Sequence, residues 1–176
     1  VRLWKADGSP LRTLDSGPEV MGVAVSPSGD RVAEGASDTK VRIFSAASGA
    51  LLRALELPMA CGALAFSPDG HLLATASVDG TVSIFDAASG QEKGALGRHA
   101  LPAGCAVFSA DGKRLASAGV SINPWGADAD LKVWDLATRR ESSTPIGRSF
   151  INAVGFASSR PIFVSAGDKT ISVWEA

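Results

Sequence analysis

Two histidines, two cysteines and a short run of aspartates are the side chains here with reactivity beyond packing. His71 and His99 have no Cys or His neighbour at ligand spacing, so a zinc centre has no support. His71 directly follows an Asp-Gly turn and is expected in solvent. Cys61 and Cys105 lie in similar apolar stretches without a basic cluster, the setting of small buried hydrophobes rather than of activated thiolates. They are also too few for a disulfide framework. Asp128 and Asp130, with Asn123 nearby, offer oxygen ligands, but neither the spacing nor the bidentate Glu of a Ca²⁺ loop is present, and turn formation is expected instead. The glycines recur where turns demand them and spell neither the dinucleotide nor the phosphate-loop pattern. No catalytic residue, metal or cofactor is expected, and the chain reads as non-catalytic.

The elements that carry these residues repeat. Val1-Arg-Leu-Trp4, Val41-Arg-Ile-Phe44, Val82-Ser-Ile-Phe85, Leu131-Lys-Val-Trp134 and Ile171-Ser-Val-Trp174 end in aromatics 40, 41, 49 and 40 residues apart. A second pattern precedes them in step: Ala24-Val-Ser-Pro-Ser-Gly29, Ala65-Phe-Ser-Pro-Asp-Gly70, Val107-Phe-Ser-Ala-Asp-Gly112 and the more worn Gly155-Phe-Ala-Ser-Ser-Arg160. Ser-Pro-Asp-Gly sets a tight turn between two short strands. The Val-x-Ile-Phe pattern is a third strand, and a Gly-closed turn such as Ala46-Ala-Ser-Gly49 leads to a fourth apolar run. Four antiparallel strands per unit of about 40 residues predict an all-β propeller, with each small sheet packed face-on between neighbours. A sheet covered on both faces needs no strict alternation, which explains continuous runs such as Ala63-Leu-Ala-Phe66.

Phe-Ser-Pro-Asp-Gly, Leu-Ala-Ser-Ala, Asp-Gly-Thr-Val and Lys-Val-Trp-Asp135 make the chain resemble the WD-repeat family over essentially its whole length. The resemblance implies a non-catalytic scaffold that binds other proteins or peptides. It also implies a structural hydrogen-bond set in the third unit, comprising His99, Ser117, Asp130 and Trp134, whose likeness to a catalytic triad is superficial. The other units depart from it: Glu34, Asp38 and Phe44; Thr75, Asp79 and Phe85; and Ser165, Asp168 and Trp174 all lack the His. Those units are expected to rely on apolar contacts, since Phe keeps the packing and removes the donor.

The expected divisions are 1–16 as the end of a preceding blade, 17–57, 58–96, 97–146 with an insertion at 120–128, and 147–176. Four blades are fewer than the roughly seven this family usually closes into a ring. The remaining blades are expected from the same chain or from a second copy, and the chain is expected to be a fragment. Uncovered faces and edges at the ends predict that the isolated chain associates.

Composition narrows the partners. Net charge is −1, charged residues are 20% and hydrophobic ones 45%, so no global field draws the chain to nucleic acid or to an anionic membrane. The longest apolar run, Leu57 to Phe66, is half the length of a membrane span, and no signal peptide opens the sequence. A soluble protein in the cytoplasm is the expectation, and the Ala, Gly and Arg usage has a bacterial character. The resemblance places partner contacts on loops before the first strand and between the second and third, which puts Glu19, Met21, Ser37, Val78, Phe150 and Asn152 on one face. Trp125, in the insertion, either anchors a partner there or folds back over its own blade. The rival reading is a propeller enzyme or quinone-cofactor dehydrogenase with its site on the ring axis, where the innermost strands offer Val23, Ala63, Cys105 and Ala153.

Overall fold

The computed structural model describes residues 1–120, 129–147, 151–157, 162–167 and 170–175, all of them strand, turn or loop. A leading pair consists of β1 (Arg2–Trp4) and β2 (Pro10–Thr13). Sheet one is β3 (Val20–Val25), β4 (Arg31–Ala36), β5 (Lys40–Ser45) and β6 (Leu51–Glu56), hydrogen-bonded in chain order. Sheet two repeats it with β7 (Cys61–Phe66), β8 (Leu72–Ser77), β9 (Thr81–Asp86) and β10 (Glu92–Arg98). Sheet three is β11 (Ala103–Phe108), β12 (Arg114–Gly119), β13 (Ala129–Asp135) and β14 (Glu141–Gly147). The fourth has three strands among the described residues, not four: β15 (Ala153–Phe156), β16 (Ile162–Gly167) and β17 (Thr170–Glu175).

The turn between first and second strands is built by its serine. In sheet two the Gly70 N–H donates to the Ser67 carbonyl at 2.8 Å, and the Ser67 hydroxyl donates to Asp69 while accepting from the Leu72 N–H at 2.9 Å. Gly70 takes φ +71°, a conformation that costs glycine nothing. Ser109 and Gly112 close the same turn at 2.9 Å with Ala110 in the proline position, so the proline assists this turn but is not required for it.

Each sheet is covered by the next. Leu14, Val32 and Phe44 join the leading pair to sheet one; Ile43, Leu55, Leu57, Cys61, Leu64 and Phe85 fill the seam between sheets one and two. Ala76, Val82, Ile84, Phe108, Leu115 and Trp134 fill the seam between two and three, and Leu131, Ile151 and Phe163 that between three and four. Even and odd residues of one strand thus serve different seams: on β9, Val82 and Ile84 face sheet three while Phe85 faces sheet one. Burying a Leu, Ile or Phe in this way is worth about 1.5–3 kcal/mol per side chain. First strands adjoin one another, β3 against β7, β7 against β11 and β11 against β15, which brings one edge strand of each of sheets one to four beside the next.

Candidate functional site

In sheet three the backbone brings His99, Ser117, Asp130 and Trp134 together. The indole Nε1–H of Trp134 donates to Ser117 Oγ at 2.7 Å, Ser117 Oγ lies 2.7 Å from His99 Nε2, and His99 Nδ1 lies 2.6 Å from Asp130 Oδ1. One proton arrangement satisfies all of them: the Ser117 hydroxyl donates to Nε2, and Nδ1–H donates to the carboxylate. That arrangement is a neutral imidazole. Burial pushes the His99 pKa below its ordinary value, against the hydrogen bond and charge of Asp130. His99 and Ser117 are buried. The set joins the segment before β11 to β12 and β13, a connected polar network of the kind that ties strands together.

The other sheets solve the same position differently, and one of them overturns the expectation of apolar contacts. Register makes Glu34, Thr75, Ser117 and Ser165 equivalent, facing Arg42, Ser83, Lys132 and Ser172 respectively. In sheet one Glu34 is fully buried, accepts from the Gly17 N–H at 2.8 Å and lies 3.5 Å from Arg42 Nη1. Arg42 also bonds Asp38, and this hydrogen-bonded guanidinium holds the Asp38 carboxyl below its usual range. An ionic latch therefore replaces the imidazole set. Its sequence signal was Glu34, a carboxylate where the other units carry Thr75, Ser117 and Ser165, in register with the cation of Val41-Arg-Ile-Phe44.

Sheet two follows the apolar expectation. Leu57 donates its N–H to the Thr39 carbonyl at 2.9 Å as His99 does to Gly80 at 3.0 Å, so Leu57 stands where the imidazole would. With Phe85 replacing the indole, Thr75 Oγ1 is buried without a hydrogen-bond partner among the described residues. Sheet four keeps half the set: Trp174 Nε1–H donates to Ser165 Oγ at 3.0 Å. Asp38 and Asp79 are not counterparts of Asp130. They accept from the N–H groups of Lys40 and Thr81 inside turns, whereas Asp130 lies within β13. Asp168 lies outside the described residues.

The loop face assembles as a rim. Ser37 N–H donates to Glu19 O at 3.2 Å, Val78 to Ala60 at 2.9 Å, and Val120 to Pro102 at 2.8 Å. Asn152 N–H donates to Ala166 O at 2.8 Å at the same level of sheet four. Glu19, Met21, Ser37 and Asn152 are exposed and Val78 is half-buried. Trp125 and Phe150 lie outside the described residues. Along the innermost strands Val23 and Ala153 are exposed, and Ala63 and Cys105 are half-buried. Cys61 is buried and its thiol is pushed up to about 12 by desolvation; Cys105 is half-buried rather than fully covered as expected, and burial still raises its pKa. Among the described residues no three His, Cys, Asp or Glu side chains are grouped to hold a metal ion.

Residues 8–45, 58–86 and 141–175 match the WD40 family, described as WD domain, G-beta repeat. No curated protein matches the sequence. Among solved structures, the computationally designed Ika4 protein is 25% identical with a TM-score of 0.76, covering 93% of this chain and 95% of its own. The computationally designed Ika8 protein is 26% identical with a TM-score of 0.81, over 99% of this chain and 52% of its own. U3-55K shares the fold at 23% identity and a TM-score of 0.81, over 94% of this chain and 51% of its own. Hydrazine synthase of Kuenenia stuttgartiensis shares it at 13% identity and a TM-score of 0.85, over 94% and 49%. The chain spans about half the length of these last three.

Proposed function

We propose, since this chain belongs to the WD domain, G-beta repeat family, that it is a non-catalytic scaffold whose loop face binds other proteins or peptides. The observation that carries the reading is the rim itself: the same pair of loops is tied together at the same end of successive sheets, from Glu19 and Ser37 to Pro102 and Val120. Stacking consumes both faces of each inner sheet, so loops are what these sheets have left to offer a partner. Met21 is 45% exposed on this rim, an apolar anchor of the kind interfaces favour. Support for a non-catalytic role comes from the polar set, which is satisfied internally, and from the inner strands, which present Val23, Ala63, Cys105 and Ala153 and no acid–base pair. The likeness to hydrazine synthase speaks for fold alone.

A photoreactive residue placed at Met21 should give a discrete adduct in cells that is absent when the same residue replaces His71 at the opposite end of the sheets. Glu19→Arg should abolish it, and Trp125→Ala and Phe150→Ala should weaken binding of the captured partner. Equal labelling at both ends, or binding indifferent to all three substitutions, would overturn the loop-face reading.

A further inference from the structure

On the third strand, the residue opposite each member of the Glu34, Thr75 and Ser117 series points toward the preceding sheet. Two of these residues are cations held by carboxylates. Arg42 bonds Asp38 and Glu34; Lys132 Nζ donates to Glu141 at 3.1 Å and to the Arg98 carbonyl at 3.0 Å, over the Trp134 ring at 5.4 Å. In the seam between sheets one and two the residue is Ser83, and a cavity of about 120 Å³ remains, walled by Glu56, Asp79, Glu92, Thr81, Ser83 and Phe85 among others. Glu92 faces Phe85 across its strand pair as Glu141 faces Trp134. It is the counterpart carboxylate without its lysine, and it has no ion pair among the described residues. Ser83 is only 7% exposed, and its hydroxyl makes no hydrogen bond to the described residues.

We propose that this cavity binds a primary alkylammonium group, the tip of a lysine side chain presented by a protein partner. The neighbouring seam supplies the pattern: an ammonium between a carboxylate and an aromatic face, its stem lying along apolar wall. The volume is well above the roughly 30 Å³ share of a single water, enough for the ammonium and part of its stem. Charge-assisted hydrogen bonds to Glu92 and Asp79, the hydroxyls of Thr81 and Ser83, and the face of Phe85 would hold it. Two cations stand nearby without lining the cavity: Lys40 Nζ is 3.8 Å from Glu56 Oε1, and Arg98 Nε donates to the Asp79 carbonyl at 2.7 Å. Neither bonds the carboxylates of Asp79 or Glu92. That the ammonium comes from a partner's lysine rests on the scaffold reading; binding of a small ammonium ion does not.

The test is a titration of the full ¹⁵N-labelled chain with n-butylammonium at constant ionic strength. Saturable amide shifts at Thr81, Ser83 and Glu92 are expected, with none from n-butanol. Ser83→Lys, which supplies the cation from within, and Glu92→Gln should each weaken binding about tenfold or more. Should Ser83→Lys disturb folding, Glu92→Gln decides. Nα-acetyl-lysine methylamide should reproduce the shifts and its Nζ-acetylated form should not. Equal response to butanol, no saturable shift, or binding unchanged in Glu92→Gln overturns the proposal. Photo-adducts at Met21 with no ammonium binding would remove this site and leave the loop-face reading standing; the reverse pattern would leave a small-amine site on a chain without that role.

Discussion

Gly97 and Trp134 are matched in size across the seam between sheets two and three: a Cβ on Gly97 would stand 2.6 Å from Cη2 of the indole. In the preceding seam the position of Gly97 is taken by Leu55, since Gly97 faces Val82 and Leu55 faces Val41 in the same register. There Leu55 meets the smaller Phe85. Glycine with Trp and leucine with Phe fill equivalent space.

Gly97→Ala should therefore destabilise by about 1–3 kcal/mol through overpacking, and Trp134→Phe by a similar amount, losing the hydrogen bond to Ser117 and opening a void. The two costs should not add, because Phe leaves room for the new methyl group while the lost indole is the same in both backgrounds. Urea unfolding of the four proteins measures this, and strict additivity would sink the size-matching argument.

Most of this architecture was legible in the sequence, and the reasons are local. The serine-to-glycine turns and the Val-x-Ile-Phe strands announce themselves because each is fixed by its own few residues, such as Ser67 with Gly70. His99, Ser117 and Trp134 were legible from their places in the repeat, whereas Asp130 stands four residues before Trp134 while Asp38 and Asp79 stand six before Phe44 and Phe85. What stayed hidden depends on which strand residues look into which seam. Arg42 and Lys132 acquire a role only once register sets them opposite Glu34 and Ser117, and Asp130 was grouped with Asp38 and Asp79 although it lies within a strand while they lie in turns. The Leu55 and Gly97 exchange joins residues of successive units, a relationship no single repeat displays.

Acid should loosen the third sheet before it titrates the turn carboxylates. Burial sets the folded pKa of His99 below the ordinary 6.5, so the unfolded chain takes up the proton first. The contribution of His99 is complete above that value and is lost progressively as pH falls below it. Asp86, lowered to about 2 by hydrogen bonds from Ser89, contributes above the ordinary carboxylate range and fades only at lower pH. The urea midpoint should thus decline between about pH 7 and pH 5. In His99→Leu the midpoint should be lower throughout yet flat across that interval, and an equal slope in both proteins would place the titration elsewhere.

The ionic latch of sheet one should be costly to halve and inexpensive to replace whole. Glu34 is fully buried and its Oε2 already has no hydrogen-bond partner among the described residues. Arg42→Met leaves that carboxylate without its countercharge, a change worth about 3–5 kcal/mol. Glu34→Thr with Arg42→Ser installs the pair that sheet two uses at the same register, and should recover most of the loss. Denaturant unfolding reads both; a cost under about 1 kcal/mol for Arg42→Met would show that the pair is not needed to offset burial of the charge.

Apolar surface is left uncovered on β3 of sheet one and on β17 of the fourth sheet, and this governs behaviour in solution. Val23 and Val25 of β3 are 56% and 60% exposed, and Ile171 and Val173 of β17 are 76% and 67% exposed. The corresponding faces of the inner sheets are closed by a neighbour, whereas the two-stranded leading pair covers Val32 and Phe44 of sheet one and leaves β3 open, so β3 and β17 carry seam surface that no described strand covers. Such surfaces pair with whatever fits them, most readily with the complementary end of another copy. Sedimentation velocity of the 176-residue chain should show mass rising with concentration. Lysine at Ile171 and Val173 should suppress the rise by charging the face, while lysine at the solvent-facing Leu52 should not. A single monomeric boundary across the concentration range would mean that these faces are satisfied in a way the stacking argument does not foresee.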